Sequence, residues 1–431
     1  MFHNNVPFFR PQLGDHEVNE VVETLRSGWL TSGKRVQLFE RNFAMAVGAP
    51  HAVALNSCTA ALHLAVEALG LKAGQAVLVP TMTFAATAEV VRYLGAIPLL
   101  IDCDPLTGNM DLEDASRKLQ RLESADYPDY ADGKSPKQLR VVGVMPAHVG
   151  GMMMDVGAIK EFADRHSLWI VEDAAHAFPA AWRAKESDPW QRCGQGTADV
   201  SCFSFYANKT ITTGEGGMAV TGSAELAERM RLMSLHGLSQ DAWERYSGGS
   251  SWDYRIIAPG FKYNLTDIAA AIGIHQLARA EEMRQMRENV AHSYFEAFSN
   301  VDELELPPED VNRIHAWHLF PIRLRLERLD IDRNEFINQL REAGIGCSVH
   351  WRPLHLHPYY QETFQYRAED FPVATREWER LVSLPIFPGM RTDEINYVVD
   401  TLKTICHQHN RQTQAESRKQ HAAHPHLNPL P

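Results

Sequence analysis

AVALNSCTAALHLAVEALGLKAGQAVLVPTMTFAATAEVVRYLGAIPLLID, residues 52–102, decides the fold class. AVALN is a short β-rich run. It leads into SCTAALHLAVEALG, an apolar helix that stops at Gly70. AVLVP reads as a second buried strand, TFAATAEVVRYLG as a second helix and IPLLID as a third strand. Strands this uniformly apolar are buried on both faces. An α/β fold follows, with a mostly parallel central sheet and helices on both sides of it. VVGVMP, the helix VGAIKEFADRHS, WIVEDAA, DVSCFSF, GMAVTG and the helix AELAERMRLMSLHG carry the alternation to about residue 240. Ligands in such sheets bind beyond the carboxyl ends of the strands, so chemistry is sought there.

Outward from this core, residues 14–28 read as a helix, with Val18, Val21, Val22 and Leu25 at helical spacing. SGWLTSG breaks it, and a second helix covers 35–46. On the other side, TDIAAAIGIHQLARAEEMRQMRENVAHSYFEAF reads as one long helix. Beyond it HLFPIRL, a helix at 333–343, GCSVHW and a helix near 393–406 make a smaller α+β domain. The expected division is a large domain over 1–283, a small one over 284–407 and a disordered tail over 408–431. His421, His424 and His426 in that tail are read as part of an unstructured extension, and no metal site is expected. The polar stretch near 123–139 reads as a surface insertion.

With 45% hydrophobic residues, 431 residues suffice for two packed domains. Forty-two basic against 54 acidic residues leave a net charge of −12, which argues against nucleic-acid binding but not against one locally positive pocket. The six cysteines form no Cys-x-x-Cys pair and are expected to be reduced. MFHNNVPFFRPQLGDHE lacks the pattern of a signal peptide. The most apolar stretch, 76–101, is interrupted by Pro80, Glu89, Arg92 and Pro98, so no membrane span and a cytoplasmic location are expected.

Four segments carry candidate chemistry. WIVEDAAHA ends a buried strand in Glu172 and Asp173; carboxylates are costly to bury unless paired. Either they form a helix cap or solvated strand end, or Asp173 faces a protonated heteroaromatic nitrogen and keeps it charged. SCFSFYANKTITTGEGGMAV, residues 201–220, places Lys209 between a strand and a glycine-rich turn. The glycines follow the lysine, so this is not a P-loop. Such a lysine is either a solvated surface group or a Schiff-base amine with a lowered pKa. Ser204, five residues before it, is placed to bind a phosphate. NSCTAALHLA, residues 56–65, puts free backbone N–H groups at a helix start, which serves as a simple cap or an anion site. In PTMTFAATAE, residues 80–89, Phe84 either stacks on a flat ring or packs in the core.

In this order the segments resemble the DegT/StrS sugar aminotransferases, a family of fold type I pyridoxal 5'-phosphate (PLP) enzymes. The resemblance rests on SGWLTSG, LNSCTAALHLA, VPTMTFAATAE, VEDAAHA, FSFYANKTITTGEGGM, GFKYNLTDIAAAIGIHQL and GIGCSVHWRPLHLHPYY, and runs to about residue 405. It implies PLP on Lys209, with that amine as general acid and base, and Asp173 at the pyridine nitrogen. It also implies His176 near the phenolic oxygen, Phe84 on the ring, and Cys58, Thr59 and Ser204 at the phosphate. It further implies a homodimer with shared active sites, in which Asn264 reaches the neighbouring subunit's cofactor phosphate. Trp29, Thr31, His350 and Trp351 fall where substrate binds. The implied reaction moves an amino group from glutamate to a nucleotide-linked keto sugar, usually 4-keto-6-deoxy, for surface polysaccharide or lipopolysaccharide. UDP, dTDP and GDP stay open as carriers. A branch with histidine at the lysine position dehydrates deoxysugars; Lys209 favours transamination. A nucleotide-sugar oxidoreductase needs G-x-G-x-x-G where NSCTAALHLA stands, and a non-catalytic regulator predicts loss of Lys209 or Asp173.

Overall fold

The computed structural model describes residues 5–123, 139–238 and 255–411. A seven-stranded sheet forms the centre. In chain order its strands are β1 (His51–Leu55), β2 (Gln75–Pro80), β3 (Ile97–Ile101), β4 (Arg140–Val144), β5 (Trp169–Asp173), β6 (Val200–Ser204) and β7 (Gly217–Thr221). Their spatial order is β1-β7-β6-β5-β4-β2-β3. All pairings are parallel except the two made by β7, which runs antiparallel to β1 and β6. The parallel run was expected, and the reversal of β7 has a simple cause. No helix lies between Ser204 and Gly217, so the chain turns back instead of crossing over.

Helices α1 (Asp15–Ser27) and α2 (Lys34–Val47) precede the sheet and end at Gly28 and Gly48, both left-handed C-caps. Helix α3 (Cys58–Ala68) is buried along nearly its whole length. It packs on β6 and β7 and on α4 (Ala86–Tyr93), which explains why its sequence lacks a polar face.

The expected single long helix is two: α5 (Asp267–Ala278) and α6 (Ala280–Phe298). At Arg279 (φ −108°, ψ 7°) the N–H donates to Gln276 O, three residues back. The Gln276 side chain is tied to Glu17 and to Gln12 O, so the end of α5 stays pinned on α1 while α6 departs in a new direction. The expected domain boundary at 283/284 falls inside α6.

The small α+β domain was anticipated. Its antiparallel sheet comprises β8 (Leu304–Glu305), β9 (Phe320–Leu324) and β10 (Leu381–Leu384). Helices α7 (Arg333–Glu342) and α8 (Thr392–His409) share its core, in which Tyr294, Phe320, Phe336, Val398 and Leu402 are buried. The helix runs past residue 408, and Asn410 bridges to Leu329, so the expected tail does not begin before 412. Residues 412–431, and the expected insertion at 123–139 apart from its two ends, lie outside the described residues.

Candidate active site

A cavity of about 380 Å³ opens at the carboxyl ends of β5 and β6. It is lined by Cys58, Thr59, Phe84, Asp173, His176, Ser204, Lys209, His350 and Trp351, nine residues expected from sequence.

One wall is the start of α3. Ser57 caps it by accepting from Ala60 N (3.1 Å), which leaves the N–H groups of the first turn directed at the cavity end of the helix. Gly217 is required there: a Cβ would lie 2.4–2.5 Å from Ser57 and Cys58 backbone atoms. Ser204 closes the same side. Free N–H groups, a helix dipole and a hydroxyl together suit a phosphate.

Strand β5 sends its two acids to different surroundings. Successive side chains point to opposite faces, and the pair divides accordingly. Asp173 lines the cavity, accepting from Thr87 Oγ1 (2.6 Å) and Ala175 N (3.1 Å). Glu172 lies beneath the sheet, where Thr197 Oγ1 (2.6 Å) and Ser201 Oγ (2.5 Å) donate to it and His148 Nε2 stands 3.5 Å away. Burial works against its charge, but these neighbours hold its pKa below the usual carboxylate value. Glu172→Ala would leave them unpaired. The expected cost is about 3 kcal/mol of stability, read as a lower melting temperature with PLP binding retained.

Lys209 is half-buried, with its Nζ 3.4 Å from His318 Nε2. Among the described residues no carboxylate is within ion-pair distance of it. Burial pulls its pKa from 10.5 down to about 8, against the opposing pull of Asp173. At pH 7 the neutral amine is then roughly 300 times more abundant than for an ordinary lysine. The rate at which apo-enzyme captures PLP covalently is therefore expected to rise about tenfold from pH 6 to 7 and to level off above about pH 8. A rise continuing to pH 10 would contradict this.

The far wall is imidazole and aromatic. His176 stacks on Trp351 (centroids 5.0 Å) and tilts against His318 (4.1 Å); its Nδ1 accepts from Gly150 N (3.3 Å). His350 contacts Ser383 Oγ (2.9 Å) and stacks on Phe8. Burial pushes His176 and His318 well below the ordinary value and His350 to about 3, so all three are neutral at physiological pH. Phe84 is 61% exposed on the cavity rim, which rules out the core-packing alternative and leaves its ring face free to stack.

Trp29, Thr31 and Asn264 do not line this cavity. Trp29 Nε1 donates to Ser32 O, and Asn264 donates to Ser32 Oγ and borders a second, smaller cavity with Arg231 and Ser234. Sequence reasoning missed His318, Thr87, Tyr206 and Asn208. Thr87 and His318 each meet their partners only across the fold, 86 and 109 residues away in the chain, so no local pattern marked them.

The donor set fits PLP: an anion site, a carboxylate opposite, an aromatic face and a half-buried amine surround one cavity. Comparison with known proteins agrees. The profile of the DegT/DnrJ/EryC1/StrS aminotransferase family matches residues 11–403. The spore coat polysaccharide biosynthesis protein SpsC of Bacillus subtilis is 41% identical over 401 residues, covering 93% of this chain and 97% of SpsC. Among solved structures, Spr1654 of Streptococcus pneumoniae superposes with TM-scores of 0.82 in its PMP form and 0.81 in its PLP form. The PMP-form comparison has 28% identity and covers 96% of this chain and all of that one. The sugar aminotransferase CalS13 of Micromonospora echinospora follows at TM-score 0.77 and 28% identity, covering 93% of this chain and 99% of CalS13.

Proposed function

The chain belongs to the DegT/DnrJ/EryC1/StrS aminotransferase family, whose cofactor is PLP, and from that premise we propose that it moves an amino group from glutamate to a nucleotide-linked keto sugar. The observation that carries the transfer reading is the half-buried, neutral-prone amine of Lys209 in one cavity with Asp173. A histidine there would suit dehydration; a lysine amine both attaches the cofactor and moves protons.

PLP supplies an electron sink when bound. The protein's own residues supply the rest. The Asp173 carboxylate, oriented by Thr87, keeps negative charge where a pyridinium is to be held. The Lys209 amine takes up and returns a proton at Nζ. The Phe84 face would cover the ring, and Cys58 and Thr59 backbone N–H groups with Ser204 would hold the phosphate. Neutral His176, His318 and His350 fill the far wall without adding charge, and His350 and Trp351 line the part of the cavity where the sugar would bind.

The substrate is proposed as a 4-keto-6-deoxy sugar on UDP, dTDP or GDP. SpsC, named for spore coat polysaccharide biosynthesis, supports a polysaccharide precursor as product. A homodimer with shared sites is part of this reading. Trp29, Thr31 and Asn264 stand outside their own chain's cavity, which is where residues that serve a neighbouring subunit would lie. A cytoplasmic location fits such substrates. Among the described residues no helix is long and apolar enough to cross a membrane.

The test has two stages. PLP-loaded protein mixed with glutamate should lose its visible absorbance and release 2-oxoglutarate. A panel of UDP-, dTDP- and GDP-linked keto sugars should then restore the band. Conversion by glutamate with no turnover of any keto sugar would overturn the substrate assignment and leave the aminotransferase intact.

A further inference from the structure

Arg287, in the middle of α6, has almost no solvent exposure and no carboxylate partner among the described residues. All its hydrogen bonds go to main-chain carbonyls. Nη1 donates to Trp317 O (3.2 Å), His318 O (3.3 Å) and Ile386 O (2.9 Å), and Nη2 to Asn208 O (3.4 Å). A buried cation balanced by carbonyls alone is costly. It is nonetheless still charged at neutral pH, because burial lowers its pKa only to about 9.

The segments it joins are those that surround the reacting amine. Asn208 precedes Lys209. His318 carries the ring that meets Lys209 Nζ at 3.4 Å. Ile386 follows β10 of the small domain. We propose that Arg287, though outside the cavity lining, is a positioning residue for the reaction, holding Lys209 and His318 in register with each other and with the small domain. This rests on the reading of Lys209 as the cofactor lysine.

Its charge has a second consequence. The groups acting on Lys209 are Asp173 on β5, Cys58 at the start of α3, Arg287 on α6 and the neutral imidazoles of His176, His318 and His350, with Glu215 on the same cavity wall. Asp173 and Cys58 favour the ammonium form, and Arg287 opposes them. Loss of the guanidinium therefore makes Lys209 harder to deprotonate.

The test compares Arg287→Met and Arg287→Lys with wild type as holoenzymes. The readout is the pH profile of the glutamate half-reaction, followed by loss of the visible band. For Arg287→Met the acid-side midpoint should move up by about one pH unit. The plateau rate should fall about 10²-fold, with the glutamate KM little changed. Arg287→Lys keeps the charge but cannot reach all three segments, so the midpoint should stay near wild type while the rate falls. Wild-type rates and midpoints in both variants, with only the melting temperature lowered, would reduce Arg287 to a structural clamp and overturn the proposal. Should Arg287→Met fail to fold, Arg287→Lys decides: a reduced rate supports the proposal and a wild-type rate overturns it. Insolubility of both variants also overturns it, since the clamp would then serve folding alone. A wild-type enzyme without a visible band at any pH would instead overturn the reading of Lys209.

Discussion

Lys209→Ala is expected to lose at least about 10⁴-fold in transamination rate. Proton transfer by a positioned side chain is worth about 10²–10⁴, and here the same atom also attaches the cofactor, so two contributions vanish together. The loss should fall on the rate of the glutamate half-reaction rather than on soluble yield. The reason is that Lys209 makes no ion pair among the described residues whose removal would strand a buried charge. Borohydride treatment followed by dialysis distinguishes the cause. Wild type should retain cofactor absorbance covalently, and Lys209→Ala should release it all. Retention by the variant would move the assignment to another amine.

Asp173→Asn is the second large effect, with an expected drop of about 10²–10³ in the same half-reaction, the scale of removing one preorganised electrostatic partner. The amide oxygen can still accept from Ala175 N, and the amide NH2 can donate to Thr87 Oγ1 in place of the bond that Thr87 gave, so the shape is kept while the charge is lost. Cofactor affinity should fall less than rate. The adjacent acid gives the internal control: Glu172→Ala should unfold more readily yet keep the cofactor band. If Asp173→Asn were as active as wild type, the carboxylate would not face the ring nitrogen. If Glu172→Ala lost activity without losing stability, the division of labour between the two acids would be reversed.

Much of the site could be read along the chain because its parts sit at strand ends and helix starts, which sequence marks well. Asp173 closes an apolar run. Lys209 precedes a glycine cluster, and Cys58 opens an apolar helix. The parts that could not be read share a different property. Thr87 is one more small residue in an alanine-rich helix start, His318 an isolated histidine, and Arg287 one of several basic residues on a helix that looks amphipathic. Each acquires its role from a partner on another element: Asp173 for Thr87, Lys209 for His318, and the carbonyls of Asn208, His318 and Ile386 for Arg287. The break at Arg279 was hidden for the same reason, since Arg279 is no helix breaker and what ends α5 is the anchoring of Gln276 on α1.

By itself, then, the sequence determined the α/β class, the small second domain and the order of motifs that identifies the family. These depend on apolar periodicity and on residue types whose chemistry few other residues share. The tertiary structure decided what depends on the surroundings of a group. It separated the two acids, with Asp173 on the cavity and Glu172 beneath the sheet, because they project from opposite faces of β5. It placed Phe84 at the cavity rim instead of in the core. It desolvated Lys209 enough to lower its amine to about pKa 8, because desolvation is a property of a site in the folded chain and not of any stretch of it.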